Sequence, residues 1–581
     1  MAKKASKKAV KKATTRTARR IAPGGDGAFK LTYATMFDPP EEVHTRFEAA
    51  LARVKSELGK DHGMLINGQD RFVDAKFEDR SPINTEWLLG TFQKGGVQEA
   101  QDALAAASAA WPKWAGMKWK ERVRLLRRAA AQIEKRVYEI GAVMALEVGK
   151  NRMEALGDVQ ETADLISYYC DQMAANDGYV KPMGVDPLKG YKSRNLSVLK
   201  PYGVWVVISP FNFPFALAGG PSGAALVAGN TVVFKPASDT PYTGRLLAEV
   251  FRDAGLPDGV FNYVTGGGAT VGETLITGPE VDGITFTGSY DVGMHILRTF
   301  ASGKWPRPCI AEMGGKNPAI VSRNADLDRA AIGIMRSAFG LQGQKCSACS
   351  RIFVEKPVAD RFKQRLLDFT HRINIGDPTR RENWLGPVVN ASSYRQYSEF
   401  GEELSHSGTI LTGGKHLVEG DLGKGYFCAP TIAEAPEDHR LWRYEMFLPI
   451  TMIAEVDSLE EAMRSANDVE YGLTAGFYGS KKELAWFFDN IQAGVTYANR
   501  PQGATTGAWP GFQPFGGWKG SGASGKNGGG LYYVQLYMHE QIRTLVKPAV
   551  KKAAAKKVVR KAIKKSVKKT ARKTAKKSSR R

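Results

Sequence analysis

Two kinds of apolar spacing divide this chain. Between residues 41 and 174 apolar side chains recur every three or four positions, the spacing of one face of an α-helix. The pattern predicts helices over 41–58, 96–115, 118–145 and 152–174, with a break near Trp111-Pro112, where proline removes an amide donor. From Val204 the texture changes to short β-branched runs, VWVVIS at 204–209 and TVVF at 231–234, followed by strand-like stretches at 261–264 and 284–286. Helical stretches at 217–228, 242–254 and 271–276 alternate with them. Continuous apolar runs of this length suit strands covered on both faces of a parallel sheet. The alternation resumes with strands at 319–321, 351–354 and 451–456 and helices at 327–339, 358–372, 392–407 and 458–468. The fold class is therefore α/β, with two doubly wound domains. A short polar ribbon is expected at 179–199 and a closing strand at 541–546. Between them, residues 500–532 are rich in Gly, Pro and aromatics, the mark of a long loop with a functional task.

Length and composition refine this picture. A chain of 581 residues exceeds the usual single-core limit and implies two or three domains. No apolar run of 18 appears, so no membrane span is expected. Five cysteines, odd in number and irregularly spaced, fit a reducing compartment such as the cytoplasm better than a disulfide framework. The net charge of +23 is unevenly held: residues 1–20 carry nine Lys or Arg and residues 547–581 carry seventeen, neither with an acid. Without those tails the body sits near −3, the balance of an ordinary globular protein.

Candidate chemistry concentrates in FGLQGQKCSACSR, residues 339–351. Lys345 and Arg351 flank Cys346 and Cys349 in sequence, and cationic surroundings favour the thiolate that a cysteine nucleophile needs. Two buried structural cysteines would read the same way. A metal site is not expected, because no second Cys/His pair with ligand spacing exists. Two glycine turns, TGGGATVG at 265–272 (with Gly268) and FTGSYDVG at 286–293 (opening on Phe286), lie between strand and helix, where a backbone can approach a phosphate. Packing alone is the alternative. Asn212 in SPFNFPF is a candidate oxyanion donor or a turn cap. Glu312 in AEMGGKNP is a candidate general base or a surface charge.

In this order and at these separations, SPFNFP, KPAS, FTGS, EMGGKNP and the cysteine segment resemble the aldehyde dehydrogenase superfamily over about residues 95–546. Within it, GQKCSACSR together with QPFGGWKGSGASGKNGGGLYY at 513–533 looks like the pyrroline-5-carboxylate dehydrogenases, which oxidise glutamate γ-semialdehyde to glutamate in proline breakdown. The resemblance implies a Rossmann-type cofactor domain (21–312), an α/β catalytic domain (313–499), a substrate loop with an oligomerisation strand (500–546) and a small β oligomerisation element near 179–199. A homodimer or higher oligomer is then expected. It also implies roles: Cys346 as nucleophile in preference to Cys349, Asn212 and the Cys346 amide as oxyanion donors, and Glu312 as the base that activates water. For the cofactor, NAD or NADP, it implies Lys235 and Ser238 at the adenosine ribose, Gly268, Phe286 and Ser289 around the pyrophosphate, and Glu445 with Phe447 at the nicotinamide ribose. Ser238 replaces the glutamate of NAD-preferring members, so NADP is expected to be tolerated. Leu448 in YEMFLP stands where the family has glycine. For the substrate it implies Ser347 and the loop Ser521, Gly522 and Ala523 at the α-carboxylate, Glu161 at the α-amino group and Phe213 against the aliphatic stem. Another semialdehyde dehydrogenase is the enzymatic alternative.

The tails resemble those of linker histones. Basic doublets recur every four residues from 556/557 to 580/581. Like charges at i,i+4 oppose a helix in isolation, so both tails are expected to be disordered in solution, with helix formation of the carboxyl tail on a polyanion as the alternative state. Nucleic acid or another polyanion is the expected partner, and a solvated tail with no partner the alternative. On that view the body is either an enzyme with a nucleoid attachment or a passenger on a nucleic-acid-compacting protein.

Overall fold

The computed structural model describes residues 31, 35, 38–187, 189–504, 507–548 and 555–575. The basic segment 1–20 lies outside them. Among the described residues five helices precede the parallel strands of the first large sheet: α1 (Glu41–Ser56), α2 (Val97–Gly116), α3 (Trp119–Lys135), α4 (Val137–Val148) and α5 (Arg152–Ala175). The expected break at Trp111-Pro112 is not there. Pro112 lies inside α2, and the helix stops instead at Met117, whose backbone turns extended. The span read as one helix over 118–145 is two, divided at Arg136, which leaves helical geometry and donates to Glu139 and Glu249.

The first sheet has seven strands. Its core is β1 (Val204–Ile208), β2 (Thr231–Lys235), β3 (Phe261–Tyr263), β4 (Val281–Thr287) and β5 (Cys309–Glu312), all parallel and ordered β5-β4-β1-β2-β3. Two short antiparallel strands, Met64–Ile66 and Gln69–Arg71, extend it beyond β3. The strand order reverses between β1 and β4, and in open α/β sheets ligands bind at that switch, past the carboxyl ends of the strands. Helix α6 (Ala216–Ala228) follows β1, α7 (Pro241–Asp253) follows β2 and α8 (Tyr290–Ala301) follows β4. The Gly- and Ala-rich sequence of α6 has a packing cause: a Cβ at Gly220 would lie 2.8 Å from Leu165, and one at Gly223 2.7 Å from Ile166, so α5 and α6 approach nearly backbone to backbone.

Only Met313–Lys316 separates β5 from β6 (Asn317–Val321), the first strand of the second sheet. That sheet also has seven strands, with β6, β7 (Cys349–Glu355), β8 (Ile450–Val456) and β9 (Thr474–Tyr478) parallel at its centre. Helix α9 (Leu327–Phe339) matches its expected bounds. Several strands were not foreseen, among them Lys76–Arg80, which is mostly charged, and Leu88–Gln93, whose apolar run is interrupted by Gly and Thr.

Residues 176–200 and 539–581 form a separate unit. Its sheet comprises Val180–Pro182, Tyr191–Pro201 and Met538–Pro548, at the expected ribbon and closing strand. The expected disorder of the carboxyl tail is corrected over Ala555–Ala575, which is an α-helix. This stretch contains no Gly or Pro, and Ala, Lys and Arg have high intrinsic helix propensity. Side chains 561–572 are exposed, so water screens the repulsion between neighbouring cations.

Candidate active site

Asn212 lies four residues past the end of β1, in a turn bracketed by Pro210 and Pro214. It is 2% exposed. The turn reading of its amide holds: Oδ1 accepts the Phe213 amide at 3.1 Å, closing the turn, while Nδ2 donates to Gln344 O at 2.9 Å. That second bond joins the turn to the segment carrying Cys346.

The segment begins where α9 stops. Leu341, Gln342 and Gly343 are all left-handed, with φ of 48°, 55° and 67°. For a residue with a side chain this conformation costs about 1–2 kcal/mol, and such strain gathers at functional sites. Cys346 follows and lies at the wall of a cavity, whereas Cys349, the first residue of β7, is a core residue with Sγ directed to Arg351 O at 3.6 Å. The cationic support expected from Arg351 is corrected, whereas buried Lys345 does interact with the Cys346 sulfur. Arg351 donates to the carbonyls of Lys316, Ser465 and Ala466, away from Cys346. Burial then pushes the Cys346 thiol up to about 12, with Glu445 and Glu312 adding to the rise and the Ser347 amide opposing it. The resting sulfur is a thiol and needs a base.

Glu312 ends β5 and lines the same cavity as Cys346. Burial pushes its carboxyl up to about 8, partly offset by the Gly517 amide. Among the described residues Oε2 has no hydrogen-bond partner. A buried carboxyl near neutrality, with one oxygen uncommitted, is suited to taking a proton from a thiol or from water.

Phe213, Glu161, Leu165 and Tyr169 form much of the remaining cavity wall. Glu161, Leu165 and Tyr169 repeat every four residues on α5, so one helix face supplies one wall; the two apolar members were legible as periodicity but not as a site. Glu161 accepts the Ala508 amide at 2.5 Å and so fixes the opposite edge. Of the other four expected substrate contacts, Ser347, Ser521 and Ala523 are corrected, whereas the Gly522 amide donates to no backbone carbonyl among the described residues. Ser347 is buried outside this lining, and Ser521 Oγ is engaged with Gly314 O and the Gly472 amide. The amides of Ser521 and Ala523 donate to Trp518 O and Ala311 O, and Gly522 bridges to Glu312. The loop acts as an added strand that braces the base.

The expected cofactor positions lie in or just past strands of the first sheet, except Glu445 and Phe447, which precede β8 of the second. Lys235 ends β2; burial lowers it to about 8, and among the described residues its Nζ bonds the adjacent Pro236 carbonyl at 3.0 Å. Ser238 is exposed. At Gly268 no atom lies within 4 Å of where a Cβ would be, so the backbone is open to a ligand. Ser289 is the N-cap of α8 and shares a cavity of about 930 Å³ with Glu445. Glu445 accepts the Gly315 amide at 2.8 Å, and a Cβ at Gly314 would overlap its carboxylate. Burial pushes that carboxyl up to about 7. Phe286 is corrected: its ring lies in the core beneath Gly288 and Gly293 and shapes the turn from below. Phe447 has φ of 56° and its ring meets Phe211 edge-on, while Leu448 keeps an ordinary backbone, so the family's glycine is not needed there. An amine, an open glycine turn, a helix N-terminus and a carboxylate in this sequence fit a dinucleotide.

Exposed Ser238 leaves no carboxylate to repel a 2′-phosphate, and neighbouring Asp239 is mostly buried and bonded to Asn390. NADP should therefore support turnover at a hundredth or more of the kcat/KM with NAD. Ser238→Glu should lower the NADP value at least about tenfold through like-charge repulsion while sparing NAD; steady-state kinetics with both cofactors would show it.

Comparison with known proteins agrees with this geometry. Residues 71–542 match the model of the aldehyde dehydrogenase family. A 1-pyrroline-5-carboxylate dehydrogenase of Geobacillus sp. (strain WCH70) is 39% identical over 506 residues, covering 86% of this chain and 95% of that protein. The crystal structure of a Thermus 1-pyrroline-5-carboxylate dehydrogenase with bound NAD is similar with a TM-score of 0.83 and 34% identity, over 91% of this chain and all of the other. An NADP-dependent enzyme of E. coli is similar with a TM-score of 0.78 and 29% identity, over 84% of this chain and 99% of that one.

Proposed function

The chain belongs to the aldehyde dehydrogenase family, and we propose that it oxidises L-glutamate γ-semialdehyde to L-glutamate with NAD, and with NADP as a tolerated alternative. The observation that carries this reading is that Cys346, Glu312 and Phe213, the neighbour of Asn212, line one cavity, in a chain 39% identical to a 1-pyrroline-5-carboxylate dehydrogenase over 86% of its length.

The chemistry follows from the residues. Glu312, as carboxylate, takes the Cys346 proton directly or through water, and the sulfur forms a bond to the aldehyde carbon. The aldehyde oxygen becomes an oxyanion held by the Asn212 amide and the Cys346 backbone N–H. Bound NAD accepts the hydride from that carbon. The oxyanion then collapses to a carbonyl, leaving a thioester on Cys346. Glu312 passes the cysteine proton to solvent and, again a carboxylate, removes a proton from water. The resulting hydroxide adds to the thioester carbon, and the C–S bond breaks to release carboxylate and thiol, the proton on Glu312 returning to solvent. Glu161 provides the anionic group for the substrate ammonium, and Phe213 lies against the stem.

A substrate panel tests the assignment. Glutamate γ-semialdehyde should exceed succinate semialdehyde in kcat/KM by at least tenfold; the opposite order would make this a different semialdehyde dehydrogenase.

The tails carry a second, separable property. The helix Ala555–Ala575 has ten Lys or Arg and no acid, and residues 1–20 add nine cations. We propose that they hold this cytoplasmic enzyme to nucleic acid through phosphate contacts, with a steep salt dependence from counterion release. The tails have no aromatic residue to stack on bases, so sequence readout is not expected. The full chain should retard duplex DNA at low salt and lose it by about 0.3 M salt, whereas residues 21–546 alone should not. Equal retention by both would overturn it.

A further inference from the structure

Helix α5 carries buried charges that the reaction does not use. Lys150, just before its first turn, and Glu154 and Asp158 within it follow at four-residue intervals on one face. Lys150 Nζ bonds Asp158 Oδ2 at 2.7 Å with both side chains wholly buried, and lies 3.9 Å from the centre of the Phe213 ring. Asp158 Oδ1 accepts the amide of Ala216 at 2.7 Å, the first residue of α6 and the end of the turn that holds Asn212. One helical turn earlier, Glu154 Oε2 accepts the amide of Leu341 at 3.3 Å, the first of the three left-handed residues that lead to Cys346. A Cβ at Gly340 would lie 2.6 Å from Lys345 Nζ and 3.0 Å from Glu154 Oε1, so both charged groups close over the same backbone. The Asn212 to Gln344 bond completes a circuit: α5, the Asn212 turn, the Cys346 segment and back to α5.

Two loops from different sheets would otherwise have no common reference. Loops open more readily than the elements they join, and a displacement of about 1 Å at reacting groups can cost a hundredfold in rate. Carboxylates that accept backbone amides make charge-assisted bonds, roughly twice as strong as neutral ones. Backbone-close packing of α5 on α6 keeps the reference stiff.

We propose that Glu154 and the Lys150–Asp158 pair are positioning residues that set the oxyanion donor against the nucleophile, Asp158 acting through the Asn212 turn and Glu154 through the Leu341–Gly343 strain. They touch neither substrate nor cofactor. This rests on the dehydrogenase reading above, and one arm of the test is independent of it.

The isosteric variants Glu154→Gln and Asp158→Asn keep an acceptor oxygen but remove the charge; each is expected to lower kcat about 10- to 100-fold, normalised to the Cys346 that iodoacetamide titrates. KM for the aldehyde and the NAD dissociation constant should stay within threefold. Because Asp158 acts through Asn212, Asp158→Asn should cost less than threefold in an Asn212→Ala background. An equal loss in both backgrounds, or unchanged normalised kcat, would overturn the proposal. Crystal structures of the same variants give the independent arm: the 2.9 Å contact between Asn212 Nδ2 and Gln344 O should open. If it stays closed in both, the positioning role fails whatever the activity. A wild-type enzyme without aldehyde turnover would instead sink the dehydrogenase reading and leave this arm to decide.

Discussion

Cys346→Ala should lower aldehyde oxidation by about 10⁴-fold or more, the scale on which loss of a covalent nucleophile is felt, while Cys349→Ala should stay within about threefold of wild type. The two cysteines are three residues apart and both thiols are held high by burial, so acidity does not choose between them. Position does. Cys346 lines the cavity with Glu312, whereas Cys349 starts β7 and packs into the core of the second sheet. Parallel kinetics on the two variants, with intact-mass detection of the thioester, would separate them. A thioester on Cys349, or full activity without Cys346, would refute the assignment.

Glu312→Gln should cut steady-state turnover about 10²- to 10⁴-fold, the usual worth of a general base. The pH profile makes the prediction specific. Burial raises this carboxyl from the ordinary carboxylate range to about 8, so below that pH it is mostly protonated and cannot accept a proton, and above it the base form dominates. Wild-type kcat should therefore rise with pH through about 8 and level off. The glutamine variant should lose that limb. Retention of the same limb at full rate would place the base elsewhere, with Glu445, pushed up to about 7, as one of the other buried carboxyls near the sulfur.

How much could be read from sequence depended on the physics behind each feature. The strands at 204–208 and 231–235 were legible because burial on both faces leaves an uninterrupted β-branched run. Cys346, Asn212 and Glu312 were legible because their motifs keep order and wording. Directions were not legible. Arg351 flanks the cysteines in sequence yet turns to three carbonyls on its far side, and Ser521 and Ala523 use their groups within the fold. Pro112 was expected to break a helix that in fact continues for another turn. In the carboxyl tail, charge repulsion was weighed above the propensity of Ala, Lys and Arg, and propensity prevails over residues 555–575. The charged row at 150, 154 and 158 has helical spacing in sequence, but spacing alone cannot tell a solvated face from a buried one.

The four residues Met313–Lys316 are all that separate β5 of the first large sheet from β6 of the second. Glu312 is fixed to the first sheet and Cys346 leads into a strand of the second, so on the proposed mechanism making and breaking the thioester belong to opposite sides of a seam. A chimera of two such enzymes spliced at Met313 would inherit its water-activating group from one parent and its sulfur from the other.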